Sequence, residues 1–271
     1  MRSAGNTISL WQTIRATTVP AGHAGLWWLY QAGFAVKSPD GTVVLVDPYL
    51  SDAVMRSYQQ PRAVPPPLDP GEADPDLVLA THPHEDHLDP DSVLAWASHP
   101  TTRIAGPASV VAAAAKLGAG LEQMVEIRAG EPFKIGDIQI ESVFARHMFD
   151  AEPTPDAVGY LITVDRVRLY HAGDTEYDAR ILDDTRGRVD VSLVCINGTT
   201  GNMNAHEAAL LAWQQGARLA VPMHYGLWRD ADYGAGATLD PQLFVDTYRR
   251  LAPDGRAHVL VAGELLLVPA G

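Results

Sequence analysis

Three imidazoles and a carboxylate lie almost side by side in Thr81-His82-Pro83-His84-Glu85-Asp86-His87. The apolar run Asp76-Leu77-Val78-Leu79-Ala80 comes just before, so the group falls where a buried strand ends and a loop begins. Neutral imidazoles and carboxylates are ligands for divalent metals, and an ordinary loop has no reason to concentrate them. His82 and His84 alternate around Pro83, which predicts both rings on one side of an extended segment, where they can chelate one ion. Asp86 and His87 come a turn later and face a neighbouring ion. A structural zinc site needs a closed tetrahedral set, often rich in cysteine, and the chain has a single cysteine, Cys195. Two metal ions explain the cluster, and other parts of the chain must then supply further ligands.

Three later residues fit that requirement. His147 follows the apolar stretch Ile138 to Ala145, Asp174 follows Leu169-Tyr170-His171-Ala172, and His224 follows Leu219-Ala220-Val221-Pro222. Each is a ligand-type side chain at a strand-to-loop junction, as expected when one edge of a sheet builds a site.

The elements that must position them can be read from periodicity and turn signals. A hairpin runs through 25–30 and 33–37, turns at Pro39-Asp40-Gly41 and continues through 42–47. Residues 52–75, proline-rich, read as a long irregular loop of the kind that is often functional. Asp89 reads as the N-cap of a helix with Pro90 at its first position. Alternation over 135–144 and a hairpin of 158–164 with 167–172 follow, then a strand at 189–196. Asn204 and Glu207 are spaced as a capping box for a helix ending near Gly216. A strand at 218–222, a helix near 241–251 and a final hairpin of 258–261 with 264–268 complete the chain. The pattern predicts a single domain over residues 1–271, a four-layer α/β sandwich of two mixed sheets with helices outside.

Composition narrows the partners. With 33 acidic against 20 basic residues the net charge is −13, which disfavours nucleic acid because polyanions need a basic surface. No apolar run reaches the length of a membrane span, the first twenty residues lack the apolar core of a secretory signal, and the lone cysteine fits a reducing cytoplasm. A small-molecule substrate is expected, and it can be anionic because bound cations reverse the sign of a pocket.

His82-Pro83-His84-Glu85-Asp86-His87, then His147, Asp174 and His224 in that order, resemble the metallo-β-lactamase superfamily of binuclear metallohydrolases. The resemblance implies an αββα sandwich with its site at one edge. It also implies His82, His84 and His147 on one metal, Asp86, His87 and His224 on the other, and Asp174 as the bridging carboxylate. Trp27-Trp28-Leu29, the loop Asn197 to Asn204 and Val221-Pro222-Met223-His224-Tyr225 are similar to the ascorbate-6-phosphate lactonase-like branch. That branch implies manganese, a cytoplasmic location and frequent homo-oligomers. Tyr30-Gln31-Ala32-Gly33 and the 52–75 loop depart from its pattern.

Two divalent ions against two carboxylates leave the centre net positive, which favours a bridging hydroxide as nucleophile, since metals lower the pKa of water to about 7. Ligand chemistry leaves manganese, zinc and iron open. The reading is a hydrolase of a small sugar-acid lactone, phosphorylated or not. Phosphodiester hydrolysis by the same hydroxide, thioester hydrolysis, and a non-catalytic binding scaffold are the alternatives. Catalytic roles are assigned to Asp86 and to His206, which sits at the second position of a capped helix where anions are attracted and could hold an anionic group or protonate the leaving oxygen. A surface histidine is the plain alternative for His206. His171 is expected to orient ligands or fill the core, while His23, His99 and His258 are expected at the surface. Arg146, Arg180 and Arg229 are read as solvated rather than phosphate-binding.

Overall fold

The run Val43–Val46 is buried at every position, so both its faces are covered and no alternation marks it, as in strands packed between two layers. A computed structural model describes residues 8–148 and 154–271. The start of the N-terminal stretch read for a signal (1–7), and Phe149 and Asp150 after His147, lie outside the described residues.

In chain order the strands are β1 (His23–Trp28), β2 (Phe34–Lys37), β3 (Val43–Val46), β4 (Leu77–Leu79), β5 (Arg103–Gly106), β6 (Met124–Glu126), β7 (Phe133–Ile135), β8 (Ile138–Phe144), β9 (Val158–Val164), β10 (Val167–His171), β11 (Val191–Cys195), β12 (Leu219–Met223), β13 (Arg256–Ala257) and β14 (Leu265–Pro269). The helices are α1 (Leu10–Ala16), α2 (Ala53–Tyr58), α3 (Pro90–Ala97), α4 (Ala108–Lys116), α5 (Ile181–Thr185), α6 (Ala205–Gln215) and α7 (Pro241–Leu251). One sheet has the order β14-β1-β2-β3-β4-β5-β6 and the other β13-β12-β11-β10-β9-β8-β7. Each mixes antiparallel hairpins with parallel pairs, such as β3–β4 and β11–β12.

The sheets face each other over a core that includes Leu26, Phe34, Val44, Leu79, Ile140, Tyr160, Leu169 and Leu193. Consecutive Trp27 and Trp28 point to opposite faces, as a period of two requires. Trp28 joins this inner core, and Trp27 packs outward with Trp11 and Ile14 of α1. α3 and α4 cover the same outer face through Val93, Trp96, Val110 and Ala114, while α5, α6 and α7 cover the second sheet. The result is the αββα sandwich expected from the sequence. No helix among the described residues is long and apolar enough to cross a membrane.

Caps follow the sequence closely. Asp89 caps α3 with Pro90 in its first turn, and Asn204 and Glu207 close a capping box on α6 that ends at left-handed Gly216. Two expectations fail. The 52–75 segment is not wholly irregular, because α2 lies within it. The final hairpin does not form either: residues 258–261 carry no strand, the two-residue β13 just before them extends the second sheet beside β12, and β14 crosses to pair with β1 at the edge of the first. Periodicity marks a strand but does not choose its partner. β13 pairs only Leu219 and Ala220, so Pro222 lies beyond its end, where a missing N–H leaves no ladder bond unmade.

Candidate metal centre

The predicted ligands converge on one edge of the sandwich. Past β4, His87 N–H and Leu88 N–H both donate to His84 C=O, at 2.9 and 2.8 Å. That turn brings Asp86 and His87 back beside His82. His147 lies just past β8, Asp174 just past β10, and His224 directly after β12 in a left-handed conformation (φ 66°). Tyr160 ties the two sheets together here, its hydroxyl donating to Ala80 C=O at the end of the β4 segment (2.7 Å).

Ligand atoms of His82, His84 and His147 all lie within 4.8 Å of one another, as do those of His82, His87 and Asp174, and of Asp86, His87 and His224. His84 Nδ1 is 2.9 Å from His82 Nε2 and 3.3 Å from His147 Nε2. Asp174 lies between the outer sets, with Oδ1 2.9 Å from His224 Nε2 and 3.3 Å from His87 Nε2, and Oδ2 4.0 Å from His147 Nε2. Asp86 Oδ2 is 3.6 Å from the Nε2 atoms of both His87 and His224. The seven residues assigned from the sequence thus share one place.

The site fits a bound cation. His87 Nε2 and Asp174 Oδ1 are buried and neither makes a hydrogen bond, although they face each other. Orphaned buried acceptors of this kind are costly unless something positive sits between them. The imidazole and carboxylate donors without thiolate suit zinc, iron or manganese. Burial holds His82 well below the usual histidine range and His147 below it, so both remain neutral lone-pair donors. Burial also opposes charge on His87, but Asp174, Asp86 and Asp47 outweigh it and raise its pKa. Asp174 is moved by the same competition in the other direction. Burial would raise it, and His224 and His87 hold it well below the usual carboxylate range.

Two supporting residues escaped the sequence reading. Asp47, fully buried at the end of β3 and left-handed at φ 44°, accepts from Thr81 N–H, Thr81 Oγ1 and His87 Nδ1, each at 2.8 Å. Gln31, also fully buried, lies 3.3 Å from Asp86 Oδ2 through its Nε2. Asp47 is a lone polar residue just past a strand and Gln31 one in a hairpin turn, positions that by themselves mark no role. His171, expected to orient ligands or fill the core, is fully buried and belongs to no ligand group. Its Nε2–H donates to Ala32 C=O (2.8 Å) and its Nδ1 accepts from Gly173 N–H (3.2 Å).

His84, Asp86, His147, Asp174 and His224 line a solvent-open cavity of about 150 Å³. Val54, Tyr58, Gln60, Trp228, Asp232 and Tyr233 also line it, with Val54, Trp228 and Tyr233 packed in one cluster. The Asn197 loop contributes Asn197, Thr199 and Thr200, and Gly201 C=O lies 3.3 Å from His147 Nδ1. His206 is elsewhere. It is exposed on α6 with Nδ1 2.8 Å from Thr247 Oγ1 of α7, and it does not line the cavity. Arg146, Arg180 and Arg229 pair with Glu176, Asp178 and Asp232, and no Lys or Arg is among the described residues lining the cavity.

An αββα sandwich carrying this histidine and aspartate constellation at its edge is the architecture of a metal-dependent hydrolase of the metallo-β-lactamase fold. Residues 42–225 match the family model for the beta-lactamase superfamily domain, and the chain belongs to that superfamily. A UPF0173 protein of Pyrococcus furiosus is 33% identical over 206 residues, covering 76% of this chain and 85% of the relative. A UPF0173 metal-dependent hydrolase of Methanopyrus kandleri is 31% identical over 247 residues, 88% of this chain and 96% of the relative. Among solved structures, Igni18, a metallo hydrolase from Ignicoccus hospitalis, superimposes with a TM-score of 0.68 at 22% identity, over 91% of this chain and 98% of its own.

Proposed function

We propose that the site holds two divalent ions and hydrolyses a small, uncharged cyclic ester. The observation that carries this reading is the overlap of the three ligand sets, the middle one (His82, His87, Asp174) sharing His82 with one and His87 with the other, at a cavity whose described lining has no Lys or Arg. Bound divalent ions supply Lewis acidity and water activated near neutral pH. His82, His84 and His147 would hold one ion and Asp86, His87 and His224 the other, with Asp174, whose carboxylate lies near His87, His224 and His147, between them. Val54, Trp228 and Tyr233 give the cavity apolar and aromatic lining beside the ligands. Of the two proposed ligand carboxylates Asp86 is the more exposed, 17% against 6% for Asp174, and it is the one of the pair assigned to pass a proton to the leaving oxygen.

A phosphorylated lactone, as the lactonase-like resemblance would suggest, lacks a cationic side chain to receive its phosphate. The test is turnover by metal-reconstituted protein on neutral lactones, phosphorylated lactones and bis-p-nitrophenyl phosphate. Hydrolysis of neutral lactones with a linear dependence on loaded metal supports the proposal. Exclusive turnover of the phosphodiester, or full activity of the metal-free protein, overturns it.

A further inference from the structure

Gln31 sits in an unusual backbone. Tyr30 and Gln31 are consecutive left-handed residues (φ 70° and 52°), neither of them glycine, in the turn between β1 and β2. Such conformations are strained and persist where surrounding structure over-determines them. Here Gln31 C=O accepts from Trp28 Nε1 (3.0 Å) and from the backbone N–H of His224 (2.9 Å), itself left-handed. The turn is therefore fastened directly to a proposed ligand.

The side chain continues the connection. Gln31 Nε2 lies 3.3 Å from Asp86 Oδ2 and 3.1 and 3.2 Å from the two ring nitrogens of His224. An ionised carboxylate can only accept, so the amide nitrogen must be the atom facing Asp86, and the oxygen must face away. There it receives the hydroxyl of Tyr233 at 3.1 Å, and Leu227 N–H lies 3.3 Å from that hydroxyl. Tyr233 belongs to the cavity wall and packs edge-on to Trp228, with ring centroids 5.4 Å apart.

We propose that Gln31 is a positioning residue for the second ion, held in orientation by Tyr233 and acting through Asp86 and His224. Contacts of this kind behind metal ligands typically change metal affinity about 10–100-fold. The inference rests on the two-ion reading above, and the side chain of Gln31 meets Asp86 and His224, both assigned to the second ion.

The experiment strips the full-length protein of metal and titrates it with Zn²⁺ against a chromophoric chelator. Gln31→Met is expected to weaken the second ion about 10–100-fold and leave the first unchanged. Tyr233→Phe, which keeps Gln31 in place and guards against a misfolded variant, should shift the second ion in the same direction by less. The double variant should be no worse than Gln31→Met alone. Second-ion affinity equal to wild type in both single variants overturns the inference, as does equal weakening of both ions or full additivity in the double variant. A wild-type protein that takes up one ion overturns the two-ion reading instead. The inference then stands only if both variants weaken that ion.

Discussion

His87 Nδ1 donates to Asp47 Oδ2 at 2.8 Å, and neither side chain is exposed to solvent. The bond orients the His87 ring and turns Nε2 toward Asp174, 3.3 Å away. Because Thr81 donates to the same carboxylate through both its backbone and its hydroxyl, the end of β3 sets the geometry of the motif that follows β4.

Asp47→Asn tests that connection without touching a ligand. The amide offers one acceptor oxygen in place of a charged pair, so it can no longer satisfy Thr81 and His87 together. Metal affinity is expected to fall about 10–100-fold, measured by chelator competition. Unchanged affinity would mean that His87 is oriented without Asp47.

Gly173 provides a steric test of the same framework. It precedes Asp174 at φ 58°, and a Cβ there would lie 2.8 Å from the Thr81 side chain. Gly173→Ala should therefore disturb Asp174 and the Thr81–Asp47 bonds together, with a loss of stability of about 1–3 kcal/mol from the left-handed backbone alone and a fall in bound metal. Gly41→Ala is the control, since φ is 94° there but nothing lies within 4 Å of the added carbon. Urea denaturation and metal content should separate the two: both variants lose stability, and only Gly173→Ala loses metal.

The sequence revealed His82, His84, Asp86, His87, His147, Asp174 and His224 because each ends an apolar run, and ligand chemistry restricts which residue types can stand there. Caps at Asp89 and Asn204 were legible for a similar reason, since they act on backbone only two or three residues away. Asp47 and Gln31 act across 40 and 55 residues, on His87 and Asp86 respectively, and nothing local distinguishes them from any polar residue at a strand end or in a turn. The crossing of β14 to the first sheet was equally hidden. Leu265 to Val268 reads as a strand, but only the packed sandwich decides that it pairs with β1 rather than returning along β13.

His206 separates local signals from tertiary placement. Its position at the second residue of α6 favours an anion in principle, yet its ring is exposed and bonded to Thr247, away from the cavity lining. His206→Asn is expected to leave metal content and turnover at wild-type values and to cost at most about 1 kcal/mol of stability for the lost hydrogen bond. A large fall in turnover with intact metal content would return His206 to the mechanism.

Acid sensitivity of the metal-free protein follows from its buried histidines. Burial keeps His171, His82 and His147 below the ordinary histidine value of 6.5, so they remain neutral in the folded chain where the unfolded chain is protonated. Below 6.5 the unfolded state therefore binds more protons, and stability falls as pH drops through that value. His87 works in the opposite direction. Burial is outweighed there by Asp174, Asp86 and Asp47, and the stability this raised pKa contributes is lost as pH rises. Denaturant unfolding between pH 8 and 5 should show stability declining toward acid, each neutral buried histidine adding up to about 1.4 kcal/mol per pH unit below its unfolded value. His171→Asn removes one such group while sparing every proposed ligand, so its profile should be shallower by about one proton. An unaltered slope would show that His171 titrates in the folded protein as it does in the unfolded chain.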